Sequence, residues 1–186
     1  MVHEIVIAGF GGQGVMSMGT LLAYAGMLQG KKVSWIPSYG PEMRGGTANC
    51  SVVVSDEEIV SPVVSEPTAG IMMNLPSLDK FETAIRTGGL LIVNSSMVNR
   101  RPARTDLKVL EIPANDIAFE LGNDKVANMV VLGAFLEMTN AVRPDLVVES
   151  LKKALPPHRH SLIPVNQQAL ERGRDFVRAQ AAGGAA

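Results

Sequence analysis

Three observations predict an α/β fold with a mostly parallel, Rossmann-like sheet, helices on both faces and a helical C-terminal third. Apolar runs of strand length alternate with helix-periodic stretches over the first 112 residues. The first of these runs, Ile5-Val6-Ile7-Ala8, leads into a glycine-rich turn, Gly9-Phe10-Gly11-Gly12-Gln13-Gly14, which opens a helical pattern. From Ala114 onward the pattern is helical throughout, with breaks only at Gly122, Arg143-Pro144 and Pro156-Pro157.

The elements follow in order. The first helix carries Met16, Leu21, Leu22, Ala25 and Leu28 on its apolar side and ends at Gly30-Lys31-Lys32. Val33-Ser34-Trp35-Ile36 reads as a second strand, so a β-α-β unit is expected by Pro37. Ser38 to Gly46, with its glycine and proline punctuation, is a loop, and Thr47 to Val54 is a third strand. Ile59-Val60-Ser61-Pro62 reads as a short antiparallel return strand, with Pro62 and Pro67 arguing for an edge or an irregular connection there. Ala69 to Asn74 is a further buried strand, followed by a helix with Ser77 as its N-cap and Gly88 as its stop. Leu90-Leu91-Ile92-Val93 and Lys108 to Ile112 complete the sheet. Helices are then expected near 115–121, 125–141, 145–155 and 165–180, within a single domain over 1–180 and a disordered tail over 181–186.

Composition excludes several functions. Seventeen Lys plus Arg against 18 Asp plus Glu give a formal net charge of −1, so no overall field holds nucleic acid or an anionic membrane. Cys50 is the only cysteine; it cannot form an intramolecular disulfide or build a Cys₄ zinc or iron–sulfur site, and it reads as a small buried hydrophobe. The lone cysteine, the start Met-Val-His-Glu and the absence of an apolar run of about 18 residues predict a cytoplasmic protein. Most of the ten methionines are expected in the core, with Met43 as the exception. Arg100, Arg101 and Arg104 with Lys108 read as a solvated basic face, and His158 and His160 lack a third ligand for a metal.

In sheets of this kind, ligands bind outside the carboxyl ends of the strands. Gly11, Gly12, Gln13 and Gly14, the loop from Ser38 to Arg44, Asn74 and Asn94 all fall there in this reading. Gly9, Gly11 and Gly14 match the spacing of a dinucleotide fingerprint, which needs an acid closing the second strand roughly 20 residues on. That strand instead ends Trp35-Ile36-Pro37-Ser38-Tyr39, the next acid is Glu42 inside the loop, and Arg44 comes too late for an NADP site. The turn therefore serves another anion or a partner surface. Glu42 and Arg44, among Tyr39, Pro41, Gly45 and Gly46, offer a guanidinium fork suited to carboxylate or phosphate, or else a solvated ion pair.

The two loops together, Gly-Phe-Gly-Gly-Gln-Gly-Val at 9–15 and Ser-Tyr-Gly-Pro-Glu-Met-Arg-Gly-Gly at 38–46, resemble the gamma subunit, or gamma domain, of thiamine-diphosphate-dependent 2-oxoacid:ferredoxin oxidoreductases. Asn74 to Leu78, Gly88 to Ser95, Ile112 to Ala114 and Lys125 to Met129 add to the resemblance, which runs to about residue 172. It implies a complex that decarboxylates a 2-oxoacid on thiamine diphosphate with Mg²⁺, passes electrons through Fe–S clusters to ferredoxin and delivers the acyl group to coenzyme A. Alpha, beta and ferredoxin-like subunits are the implied partners. This chain has no Gly-Asp-Gly followed by Asn-Asn and only one cysteine, so it is expected to bind none of these cofactors alone. Its expected share is Gly11, Gly12, Gln13, Gly14, Tyr39, Pro41, Glu42, Arg44, Gly45, Asn74 and Asn94, contributed to an active-site or coenzyme A surface. A subunit of an indolepyruvate oxidoreductase, an autonomous nucleotide-dependent enzyme and a pure assembly subunit are the other readings.

Overall fold

The structure, a computed structural model, describes residues 1–39 and 46–183; of Tyr39 it describes the backbone alone. Pro41, Glu42, Arg44 and Gly45, and with them Met43, lie outside the described residues.

Six strands form one sheet: β1 (Val2–Phe10), β2 (Lys32–Tyr39), β3 (Thr47–Ser55), β4 (Ala69–Met72), β5 (Leu90–Asn94) and β6 (Lys108–Ile112), in the order β2-β3-β1-β4-β5-β6. β1, β4, β5 and β6 are mutually parallel, whereas β3 runs antiparallel to both β1 and β2. The mixed sheet is thus mostly parallel, as expected, but the expected β-α-β unit is split, because β3 lies between β1 and β2. Pro37 gives one reason. It has no N–H to offer a second neighbour, so its strand suits the edge, and it sits opposite Cys50 of β3. β1 takes the interior because it can be buried on both sides: Ile5, Val6, Ile7 and Ala8 are all at most 3% exposed.

The two faces are covered unequally. On one, Ile5, Ile7, Val52, Ile71 and Ile92 meet α1 (Val15–Leu28), α3 (Ala114–Glu120), α4 (Ala127–Thr139), α5 (Pro144–Ala154) and α6 (Ile163–Gly183). On the other, Val6, Ala8, Met72, Leu91 and Val93 meet Leu78 of α2 (Leu75–Phe81), Ile85 and Val98. All ten residues from Ala127 to Leu136 are buried, so α4 is the central helix of the helical layer. α6 crosses it at glycines. A Cβ on Gly133 would run into the carbonyl oxygen of Leu170, and one on Gly173 into that of Val130, so the two backbones meet directly.

Several expectations are corrected. Residues 56–68 form no strand, so the irregular connection that Pro62 and Pro67 allowed is found in place of the short return strand, and Val60 is fully exposed. α2 is capped by Asn74, whose side chain accepts from the Ser77 N–H at 2.9 Å, rather than by Ser77. The last helix continues to Gly183, past the expected start of the tail at Ala181. Met18, Met72, Met73 and Met129 are buried and Met16 packs against the core, but Met1, Met27, Met97 and Met138 are exposed, so the described methionines divide almost evenly between core and surface. The basic segment is also not a simple solvated face. Arg100 bonds Asp79 at 2.6 Å and the buried Glu82 at 3.0 Å, and Arg104 pairs with Asp106 at 2.5 Å. Glu82 also accepts from the N–H groups of Ala103 and Arg104, tying the whole segment to the end of α2.

Candidate functional site

The parallel strands β1, β2, β4 and β5 end on one rim, and the glycine turn occupies its middle. Gly12 and Gly14 adopt φ of 96° and 76°, a left-handed backbone that a Cβ would strain, and Gly14 is the N-cap of α1. Among the described residues no side chain caps α1, and its first turn holds no acid. Its leading N–H groups stand at the positive end of the helix dipole, where an anion is favoured. The Gly11 N–H is already used: it donates to the Gly46 carbonyl at 2.9 Å, which brings the far flank of the 40–45 loop against the turn.

A groove of about 660 Å³ opens beside this turn. Gly12, Gly14, Met16 and Ser17 form its floor, α5 and the segment before α6 form its far wall, and Tyr24 and Trp35 supply aromatic surface. Every charged residue that lines it is a cation: Lys125, Lys153 and Arg159. None of the three is in an ion pair among the described residues. Asn128, near the start of α4, presses on Gly14 so closely that a Cβ there would stand 2.6 Å from the Asn128 Cγ. Asn128 is only 8% exposed, faces the groove, and its carboxamide makes no hydrogen bond among the described residues. Its amide atoms are open to the groove, so it offers a donor and an acceptor to whatever enters there.

The other expected site residues divide by what holds them. Gln13 and Asn74 meet above the turn, their side chains bonded to each other and to backbone. Asn94 is fully buried and turned toward α3: its Oδ1 accepts from the Ala114 N–H and its Nδ2 donates to Asn115 at 2.7 Å. The structure thus brings Gly11, Gly12, Gln13, Gly14 and Asn74 together but directs the Asn94 side chain into the fold. Tyr39 closes β2, at the near flank of the loop. Asn128, Lys125, Lys153 and Arg159 were not singled out from the sequence as ligand contacts. Asn128 sits in an otherwise apolar helical run, Ala127 to Leu136, and a polar residue in such a run is the signal that would have found it.

Two further features lie apart. A hollow of about 600 Å³ near Glu66, Arg86 and Thr87 opens at the amino ends of the strands, where Arg104 is committed to Asp106 and to backbone carbonyls. Burial pushes the Cys50 thiol up to about 12, which leaves it protonated and inert. Among the described residues no three His, Cys, Asp or Glu side chains are grouped to hold a metal ion, and no helix is long and apolar enough to cross a membrane.

Fold and site together define an α/β domain with a glycine-turn groove of cationic lining on the carboxyl rim of its sheet. The chain belongs to the pyruvate ferredoxin/flavodoxin oxidoreductase family, whose model matches residues 4–176. It is 38% identical over 178 residues to the ketoisovalerate oxidoreductase subunit VorA of Methanothermobacter marburgensis, a match covering 94% of this chain and 36% of that protein. The 2-oxoglutarate synthase subunit KorC of the same organism is 36% identical over 184 residues, covering 95% of this chain and 97% of KorC. The crystal structure of a keto/oxoacid ferredoxin oxidoreductase gamma subunit from Geobacter sulfurreducens superposes with a TM-score of 0.81 at 27% identity, covering 95% of this chain and 99% of that one. The chain therefore spans about a third of VorA but nearly all of KorC.

Proposed function

We propose that this chain is the gamma-type component of a multi-subunit 2-oxoacid:ferredoxin oxidoreductase and that its groove receives coenzyme A, the acyl acceptor of the reaction. One observation carries the reading: the unpartnered Asn128 amide faces a groove whose charged lining is wholly cationic, beside an uncapped helix N-terminus. Coenzyme A suits it chemically, with phosphates for the helix N-terminus and the cations, and an adenine ring for aromatic and amide surface. Lys125 and Arg159 lower the energy of the bound polyanion, and Asn128 orients it against Gly14. Arg44, from the loop whose flank Gly46 bonds the turn, adds a guanidinium to the same ligand in this reading.

Thiamine diphosphate, Mg²⁺ and the clusters do not fit this chain. Its one cysteine is buried and protonated, and its sequence lacks the thiamine diphosphate signature. Those groups belong to alpha, beta and ferredoxin-like partners, and ferredoxin accepts the electrons of the whole complex.

The test is steady-state kinetics of the assembled oxidoreductase carrying Asn128→Leu, a change close in volume. The KM for coenzyme A is expected to rise roughly tenfold or more, through loss of one buried hydrogen bond and of the amide's orientation, with the KM for the 2-oxoacid unchanged. An unaltered KM for coenzyme A overturns the assignment.

A further inference from the structure

Gln13 is the only polar side chain in the glycine turn, and its carboxamide makes three hydrogen bonds within the protein. Its Oε1 accepts from the Phe10 N–H at 2.7 Å and from Asn74 Nδ2 at 3.3 Å, while its Nε2 donates to the Met73 carbonyl at 3.2 Å. The orientation of the amide is fixed by these partners, because the Phe10 N–H can only donate and the Met73 carbonyl can only accept. Asn74 is held in turn by accepting from the Ser77 N–H at the start of α2. Gly9 makes room for this arrangement: a Cβ there would stand 2.7 Å from Gln13 Oε1 and 2.8 Å from the Met73 Cβ. A turn with three glycines between residues 11 and 14 is entropically costly to hold in one shape. Two further bonds close it, from the Gly11 N–H to Gly46 and from the Gln13 N–H to Phe10 at 3.1 Å.

We propose that Gln13, backed by Asn74, is a positioning residue for the groove: it locks the glycine turn to the end of β4 and the start of α2, and acts on the ligand only through the shape of that turn. This rests on the coenzyme A reading for the identity of the ligand, but not for the bracing itself. Both lone pairs of Oε1 and one Nε2 hydrogen are occupied within the protein, so the amide is fixed in place and holds the turn, with Gly14 opposite Asn128.

The experiment is amide hydrogen exchange on the full chain combined with calorimetric titration of coenzyme A, for the wild type, Gln13→Leu and Gln13→Glu. Gln13→Leu removes all three side-chain hydrogen bonds and is expected to speed exchange at Gly11 and Gln13 roughly tenfold or more, while the Ile5 to Ala8 ladder stays protected. Coenzyme A affinity should fall by a similar factor. Gln13→Glu keeps the acceptor for Phe10 and Asn74 but sets an oxygen against the Met73 carbonyl, so it should lie between the two. Faster turn exchange in a chain whose wild type binds no coenzyme A leaves the brace standing and removes the ligand assignment. Unchanged turn exchange overturns the proposal, and if affinity falls all the same, Gln13 touches the ligand itself. Should Gln13→Leu fail to fold, Asn74→Asp keeps the α2 cap, replaces the amide donor to Gln13 and supports the same comparison.

Discussion

Glu82 carries more of this fold than its place in a polar segment suggests. Burial by itself opposes its ionisation, but the Arg104 N–H, the Arg100 guanidinium and the Ala103 N–H outweigh burial and hold its carboxyl below the ordinary value of 4.5. A carboxylate depressed in the folded state stabilises the protein above its unfolded pKa and ceases to do so as pH falls through the folded one. Glu82→Gln should therefore cost about 2 kcal/mol at pH 7, where its Oε1 still serves the Ala103 and Arg104 N–H groups but an amide N–H replaces the carboxylate oxygen facing Arg100, and progressively less below pH 4.5. Denaturant titrations of both proteins at pH 7, 5 and 3 check this; a gap independent of pH would sink it. Arg100, whose type and company pointed to a solvated face, is for the same reason no neutral control for substitutions in the groove.

At the scale of elements, the crossing of α4 and α6 is the tightest constraint. The carbonyls of Leu170 and Val130 stand where side chains at Gly133 and Gly173 would begin, so Gly133→Ala forces two backbones apart. The expected cost is about 3 kcal/mol, at the upper end of overpacking because neither obstacle is a side chain that can turn away. Equilibrium unfolding in guanidinium measures it. The double variant Gly133→Ala/Gly173→Ala should cost less than the sum of the two single changes, since one separation of the helices relieves both. Adding costs would mean that the helices do not meet at these glycines. The helices themselves were legible from their proline and glycine breaks, yet the crossing was not, because an isolated glycine in a helical pattern does not say which neighbour approaches it.

For the whole molecule, the position of β3 decides which ligand class the glycine turn can serve. A dinucleotide fold sets its second strand beside the first, so that an acid at the end of that strand reaches the ribose. Here β3 fills that place, running the opposite way, and β2 is one strand farther out. NAD is accordingly expected to bind no tighter than the millimolar range, as pyrophosphate contacts alone would allow, and calorimetry reads this directly. A low micromolar dissociation constant would favour an autonomous nucleotide enzyme. The chain alone should also give no turnover of a 2-oxoacid with a viologen dye, even with thiamine diphosphate supplied, and activity should return on adding the partner subunits.

The sequence by itself determined the α/β class, the glycine turn on the first strand, the helical C-terminal third and, through two loop motifs, the family. These are local: they depend on apolar period, on glycine and proline, and on short strings of residues whose spacing carries their meaning. Tertiary structure alone decided the insertion of β3 beside β1, the glycine crossing and the final use of each polar residue on the rim. Gln13, Asn74 and Asn94 all read as polar groups near a ligand rim; only their neighbours across the sheet show that each amide oxygen and one N–H of each are bonded within the protein. Asn128 read as one residue of a matching segment, and only its position against Gly14, with its amide open to the groove and no partner among the described residues, singles it out. A side chain's type fixes how many hydrogen bonds it can make, but which partners stand within reach is set by elements distant in the chain.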